Sequence, residues 1–159
     1  MKALFLDIDG VLNHYNWFST PEYKKLQKQY KSVDFATRMR HTHIDPKCFA
    51  NLNFLLKSVP ELKIVLSSTW RMADITRDAF NLLGKEIDNF NVRFLGYTAV
   101  LKSRGQEIQK WLDQHPADAF VIIDDDRDME HLTHKLVRIN GINGLSKQDV
   151  QAAIDILNQ

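Results

Sequence analysis

Cysteine is almost missing from this chain of 159 residues: Cys48 stands alone, which excludes an internal disulfide framework and fits a reducing compartment. An excess of either charge is missing too. The 21 Lys and Arg balance the 20 Asp and Glu to a net charge of +1, so overall charge does not drive the protein onto nucleic acid or a membrane, though a local patch still can. Long apolar runs are also lacking. The longest, Ala3–Leu6 and Ala119–Ile123, are far too short to cross a bilayer, and Asp7 interrupts the first before a signal-peptide core forms. A cytoplasmic setting with no membrane partner is expected. Repeats and low-complexity tracts are absent. What remains is ordinary: 44% apolar and 26% charged residues, typical of a soluble globular protein. The length suits one domain, and a chain of this size buries roughly 70% of its unfolded surface, enough to fold without a metal or a disulfide.

Three short apolar runs stop abruptly at a polar group: Ala3–Leu6 at Asp7, Ile64–Leu66 at Ser67, and Phe120–Ile123 at Asp124. Runs of this kind read as strands buried on both faces, members of a parallel sheet. Val92–Leu95 and Leu136–Ile139 are shorter strand candidates. Helical patterns alternate with them. Pro46–Lys57 carries an apolar stripe, Ala73–Leu83 ends at Gly84 as a plausible stop, Gly105–Gln114 is closed by Pro116, and Ser146 N-caps a C-terminal helix bearing Val150, Ala153, Ile154 and Leu157. The alternation predicts an open, doubly wound α/β fold with right-handed crossovers. Residues 13–44 break it. They hold six cations (Lys24, Lys25, Lys28, Lys31, Arg38, Arg40) against Glu22 and Asp34, with aromatics interleaved. A connection this long is expected to be a flap or small cap over the C-terminal end of the first strand.

Ligands of open parallel sheets bind beyond the C-terminal strand ends, where all three polar stops lie. Asp7 and Asp9 are two apart and can face one pocket, and Gly10 permits a tight turn directly after them. Two carboxylates this close repel unless a cation or shared proton intervenes. Asp124, Asp125, Asp126 and Asp128 form a second acidic cluster. Oxygen-only ligation favours Mg²⁺, since no Cys or His spacing for zinc is present. Ser67-Ser68-Thr69-Trp70-Arg71 sits at a strand-to-helix turn that can hold a phosphate through hydroxyls, N–H groups and a bidentate Arg71. Lys102 and Arg104 precede a helix and could neutralise a transferring phosphoryl group.

Together these residues resemble the haloacid dehalogenase superfamily of phosphohydrolases. Leu4–Leu12, containing Asp7-Ile8-Asp9-Gly10, resembles its first motif, Lys63–Ser68 the second, Lys102 or Arg104 the third, and Val121–Asp128 the fourth. Ser67–Arg71 with Arg104-Gly105-x-Glu107-Ile108-x-x-Trp111-Leu112 is similar to the superfamily's domains in RNA-repair proteins of the Swiss Army Knife type. The resemblance implies a Rossmann-like three-layer sandwich around a mainly parallel sheet. It implies Asp7 as nucleophile forming an aspartyl-phosphate, Asp9 as acid and base, and Ser67 orienting the phosphoryl oxygens. Mg²⁺ would be held by Asp7, the backbone carbonyl of Asp9 and an Asp of the fourth motif; Asp124 and Asp125 both fit as direct ligand, with Asp128 as the second acid. Between Ser67 and Lys102 there is room only for one helix and one short strand, so no large second cap fits and the site is expected to be open. The expected activity is Mg²⁺-dependent hydrolysis of a phosphate monoester, with a nucleic-acid end or a phosphoprotein as substrate, by a monomer or weak dimer. The competing expectation is a phospho-acceptor signalling module without turnover. The basic residues and aromatics of 13–44 could bind a phosphodiester backbone and stack bases, or the aromatics could simply pack the insertion down. His41, His43, His131 and His134 receive no role.

Overall fold

The computed structural model describes all of residues 1–159. Five strands form one all-parallel sheet in the order β3-β2-β1-β4-β5, with β1 Lys2–Leu6, β2 Leu62–Leu66, β3 Phe94–Tyr97, β4 Ala119–Asp124 and β5 Leu136–Arg138. β1 is the central strand, with two strands on either side. Ala3, Leu4, Phe5 and Leu6 have no exposed surface, so both faces must be covered.

Alternation along the strands separates two cores. Leu4, Leu6, Ile64, Leu66, Val121 and Ile123 pack against α4 (Pro46–Ser58), α5 (Asp74–Gly84) and α8 (Lys147–Leu157). Ala3, Phe5, Val65 and Ile122 face the other way, onto Ile108 and Trp111 of α7 (Arg104–Gln114), with Met129 and Leu132 beside them. Phe5 meets Trp111 edge-on at 5.4 Å between centroids. Helices thus cover both faces, the three-layer α/β arrangement that the patterning implied. No helix is long and apolar enough to cross a membrane.

Helix ends follow local chemistry. Asp45, Ser103 and Ser146 each accept a hydrogen bond from a first-turn N–H, and Ser146 with Asp149 closes a reciprocal capping box. Two expectations are corrected. The strand placed at Val92–Leu95 starts at Phe94. Asn89, at φ 57°, opens a helical turn, α6 (Phe90–Arg93), which leaves Val92 exposed and brings Phe90 parallel to Phe94 at 5.1 Å. Gly84 does not turn the chain out of α5. It is the last helical residue, and a Cβ there would sit 2.3 Å from the Phe90 ring, so its smallness serves packing.

Residues 13–44 form three short helices: α1 (Tyr15–Phe18), α2 (Pro21–Gln29) and α3 (Phe35–Thr42). α3 lies against α5, so most of the segment flanks the sheet; its first residues reach the strand ends, and His43 packs there on Phe18, near enough to feel the Asp9 charge. Its aromatics are largely used internally. Trp17 is buried and donates its indole N–H to the Thr42 carbonyl, Tyr30 stacks on His41, Phe18 meets Tyr23 and His43, and Arg38 lies over Phe35. The segment's two ends are tied by His14 Nε2 and Asp45 Oδ2, buried and 2.6 Å apart.

Candidate active site

The parallel ladder runs one residue beyond each strand. Asp7 N–H donates to the Ile123 carbonyl, Ser67 to Leu6, Thr98 to Leu66, and Ile139 to Asp124. Those bonds set Asp124, Asp7, Ser67 and Thr98 side by side across four strands, all buried, on the face covered by α7. The row is polar: two carboxylates, then two hydroxyls. Neither Ser67 Oγ nor Thr98 Oγ1 has a hydrogen-bond partner. Buried hydroxyls are rarely left so, and Ser67, beside Asp7, is free to meet a ligand.

Arg104 opens α7 beneath this row. Its Nε donates to Asp124 Oδ2 at 3.1 Å, one terminal nitrogen donates to Glu107 Oε2 at 3.1 Å, and the other lies 3.8 Å from Asp7 Oδ1. Burial raises the Asp7 pKa to about 7, with the neighbouring Asp124 adding to the rise and Arg104 opposing it. Asp124 is likewise raised, by burial first, and Asp125 is raised by burial. Carboxylate oxygens of Asp7, Asp124 and Asp125 lie within 4.8 Å of one another. Gly10, at φ +82°, makes that approach possible, because a Cβ there would stand 2.3 Å from Asp125 Oδ2.

Above the row opens a cavity of about 480 Å³, lined by Asp7, Asp9, Asp124, Asp125 and Asp126 with Arg104 as the one cation, and by Asn13, Tyr15, Phe18 and Thr69. Five carboxylates against one guanidinium would repel a phosphate dianion. An oxygen-only cluster of raised carboxyls is what a hard divalent cation relieves, so the residues present fit Mg²⁺.

Most of the expected site residues meet here: Asp7, Asp9, Asp124, Asp125 and Arg104 line the cavity, and Ser67 and Ser68 are buried at the end of β2 beside Asp7, the Ser68 hydroxyl accepting the Trp70 N–H. Three do not. Arg71 turns all three guanidinium nitrogens into the fold: Nε donates to the Thr98 carbonyl, one terminal nitrogen to the carbonyls of Ser67 and Ser68, and the other to the Ala99 carbonyl while it pairs with Glu107 Oε1. None is left for a phosphate, so Arg71 clamps the turn after β2 instead. Lys102 and Asp128 are exposed and line a neighbouring depression, which shares Thr69, Arg104 and Asp126 with the cavity. Arg104 pairs with both Asp7 and Asp124, Lys102 pairs with neither, and the cluster of Asp7, Asp124 and Asp125 does not include Asp128.

Sequence reading missed Glu107, Thr98 and Asn13 as parts of the site. Glu107 lies inside the motif that begins at Arg104, and Thr98 was hidden by the two-residue error in β3. A second buried group, His14, Asp45 and Cys48, also combines ligand types. Its atoms are occupied with one another: His14 with Asp45, the Cys48 thiol on Asp45 Oδ2, and the thiol pushed up to about 12 by burial and then by Asp45.

A parallel sheet carrying an Asp-x-Asp turn on its central strand, with a hydroxyl, an arginine and an acidic pair around it, defines an α/β domain of haloacid dehalogenase type, a superfamily of phosphohydrolase character. Residues 3–150 match the family described as the HAD domain in Swiss Army Knife RNA repair proteins, and the chain belongs to that family. Among solved structures it is similar to the HAD domain of effector protein Lem4 from Legionella pneumophila, at 16% identity and TM-score 0.56 over 99% of this chain and 95% of that one. An inactive mutant of the same domain matches at 15% identity and TM-score 0.56, covering 99% and 94%. At such identities the likeness shows the fold. No curated protein matches in sequence.

Proposed function

We propose that the protein is a magnesium-dependent phosphatase that hydrolyses a phosphate monoester by way of a phosphorylated Asp7. The observation that carries this reading is the buried Asp7–Asp124 pair beside Arg104, on the floor of a cavity with five carboxylates and one cation. Asp7, the Asp9 carbonyl, Asp124 and Asp125 would hold the ion. When bound, it supplies the positive charge that lets a phosphate dianion sit against the Asp7 carboxylate.

The residues then divide the work. An Asp7 oxygen attacks phosphorus while the ester P–O bond breaks, and Asp9 gives its proton to the departing oxygen. In the second half Asp9 takes a proton from water as the water oxygen attacks the same phosphorus. Inorganic phosphate leaves and the Asp7 carboxylate is restored. Arg104 offsets charge on the phosphoryl oxygens and on Asp7, and the unpartnered Ser67 hydroxyl donates to a phosphoryl oxygen.

The substrate is read as a phosphorylated nucleic-acid end. The cavity is open, its cover is small, and Lys24, Lys25 and Lys28 stand exposed on α2. The family's description, of domains in RNA repair proteins, agrees. We place the protein in the cytoplasm as a monomer or weak dimer. The test is a panel of 3′- and 5′-phosphorylated oligonucleotides and phosphopeptides, assayed with Mg²⁺ and with EDTA. Release of phosphate from oligonucleotides, abolished by EDTA and by Asp7→Asn, is expected. Turnover of phosphopeptides alone would reassign the substrate, and a stable phospho-form without turnover would favour a phospho-acceptor module. Replacing Lys24, Lys25 and Lys28 by Ala should lower the salt slope of single-strand binding by about 2, each phosphate contact being worth roughly 0.7.

A further inference from the structure

We infer that Trp70 and Asn13 are positioning residues for proton transfer by Asp9: they hold its Oδ1 and so leave Oδ2 as the oxygen that carries the proton. The inference rests on the role of Asp9 proposed above. Asp9 Oδ1 accepts from Asn13 Nδ2 at 2.9 Å and from Trp70 Nε1 at 3.1 Å, while no protein donor reaches Oδ2. An exposed carboxyl at the wall of an open cavity would otherwise rotate and present either oxygen. Two donors on one oxygen leave the acid hydrogen to the other.

Both donors have fixed identities. An indole N–H only donates. The Asn13 amide is oriented by its far end, where Oδ1 accepts the Gly10 N–H at 3.0 Å, so the nitrogen must face Asp9. Both donors are also rooted. Asn13 and Trp70 are each 3% exposed, and the turn carrying Trp70 is clamped by Arg71, whose donors end on the Ser67, Ser68, Thr98 and Ala99 carbonyls and on Glu107. Both donors are neutral as well. A phenylalanine would fill the Trp70 space without requiring an acceptor, so the N–H is the informative part of this side chain.

The discriminating measurement is leaving-group dependence. An alkyl ester such as glycerol 2-phosphate needs its departing oxygen protonated, whereas 2,4-dinitrophenyl phosphate leaves as a stable phenolate. For Trp70→Phe, kcat/KM with Mg²⁺ should fall about tenfold on the alkyl ester and less than about threefold on the dinitrophenyl ester, a fraction of the hundredfold or more that a general acid contributes. Asn13→Ala should show the same selectivity, independently of any loss of folding in the tryptophan variant, and Asp9→Asn a larger one. Equal losses on both esters, or none, would overturn the positioning role. A wild-type protein that releases phosphate neither from these esters nor from the phosphorylated oligonucleotides would overturn the phosphatase reading and take the positioning role with it.

Discussion

Replacing Asp7 by Asn should abolish turnover and yet make the metal-free protein more stable. The folded Asp7 carboxyl titrates near 7 instead of 3.8, chiefly because it is buried and then because Asp124 is beside it. Between those values the folded chain binds more protons than the unfolded one, so stability falls as pH rises from about 4 to about 7 and stays low above that. Three units correspond to roughly 4 kcal/mol at pH 8. That cost of a buried charge is shared with the neighbouring Asp124 and partly offset by Arg104, so about half, ~2 kcal/mol, is what the single substitution recovers. For a chain of this size that is about 4–8 °C in Tm. Thermal unfolding in EDTA should therefore show Asp7→Asn melting above wild type at pH 8, with the gap narrowing as the pH falls and closing only below about pH 4, where Asp7 is protonated in the folded and the unfolded chain alike. Mg²⁺ at pH 8 should raise the wild-type Tm and leave the variant nearly unmoved. A variant melting at or below wild type at pH 8 in EDTA would refute the argument that the fold holds Asp7 buried at a cost to its charged form.

Arg104→Ala should reduce kcat/KM by about a hundredfold or more, while Lys102→Ala should stay within about threefold, because only the former touches Asp7 and Asp124; the reverse order in steady-state assays would restore Lys102 as the third-motif cation. Arg71→Met should lower folding stability by about 3–5 kcal/mol in urea titrations, since four carbonyls and part of the buried Glu107 lose their partner. An unchanged midpoint would mean that water reaches those carbonyls. Gly10→Ala forces a side chain into the left-handed region and against Asp125. Calorimetric titration should show Mg²⁺ affinity falling about tenfold, the scale expected when the support of a metal ligand shifts.

The chain's own chemistry determined the order of its elements and the place of its site. Short runs such as Ala3–Leu6 and Val121–Ile123 are too apolar to face water on either side, and a parallel sheet buries both. Each run ends where the hydrogen-bonded ladder ends, which is why Asp7, Ser67 and Asp124 could be placed at one rim without coordinates. Local periodicity was less informative at the edge of the sheet. Val92 is apolar and next to a strand, yet Asn89 starts a helical turn that only the packing of Phe90 on Phe94 explains.

Which cation lies against the carboxylate row was a tertiary decision. Lys102, Arg104 and Arg71 are equal candidates along the chain, since a long flexible side chain's partner depends on what surrounds it in space. The fold surrounds Arg71 with four carbonyls and Glu107, turns Lys102 outward, and leaves Arg104 between two buried carboxylates. The acidic run is sorted in the same way. Asp124 is set by the ladder and Asp125 by the open side of Gly10, while Asp128 has already left the rim. Residue types and their order specify which chemistry is available; burial and distance select which of several identical groups performs it.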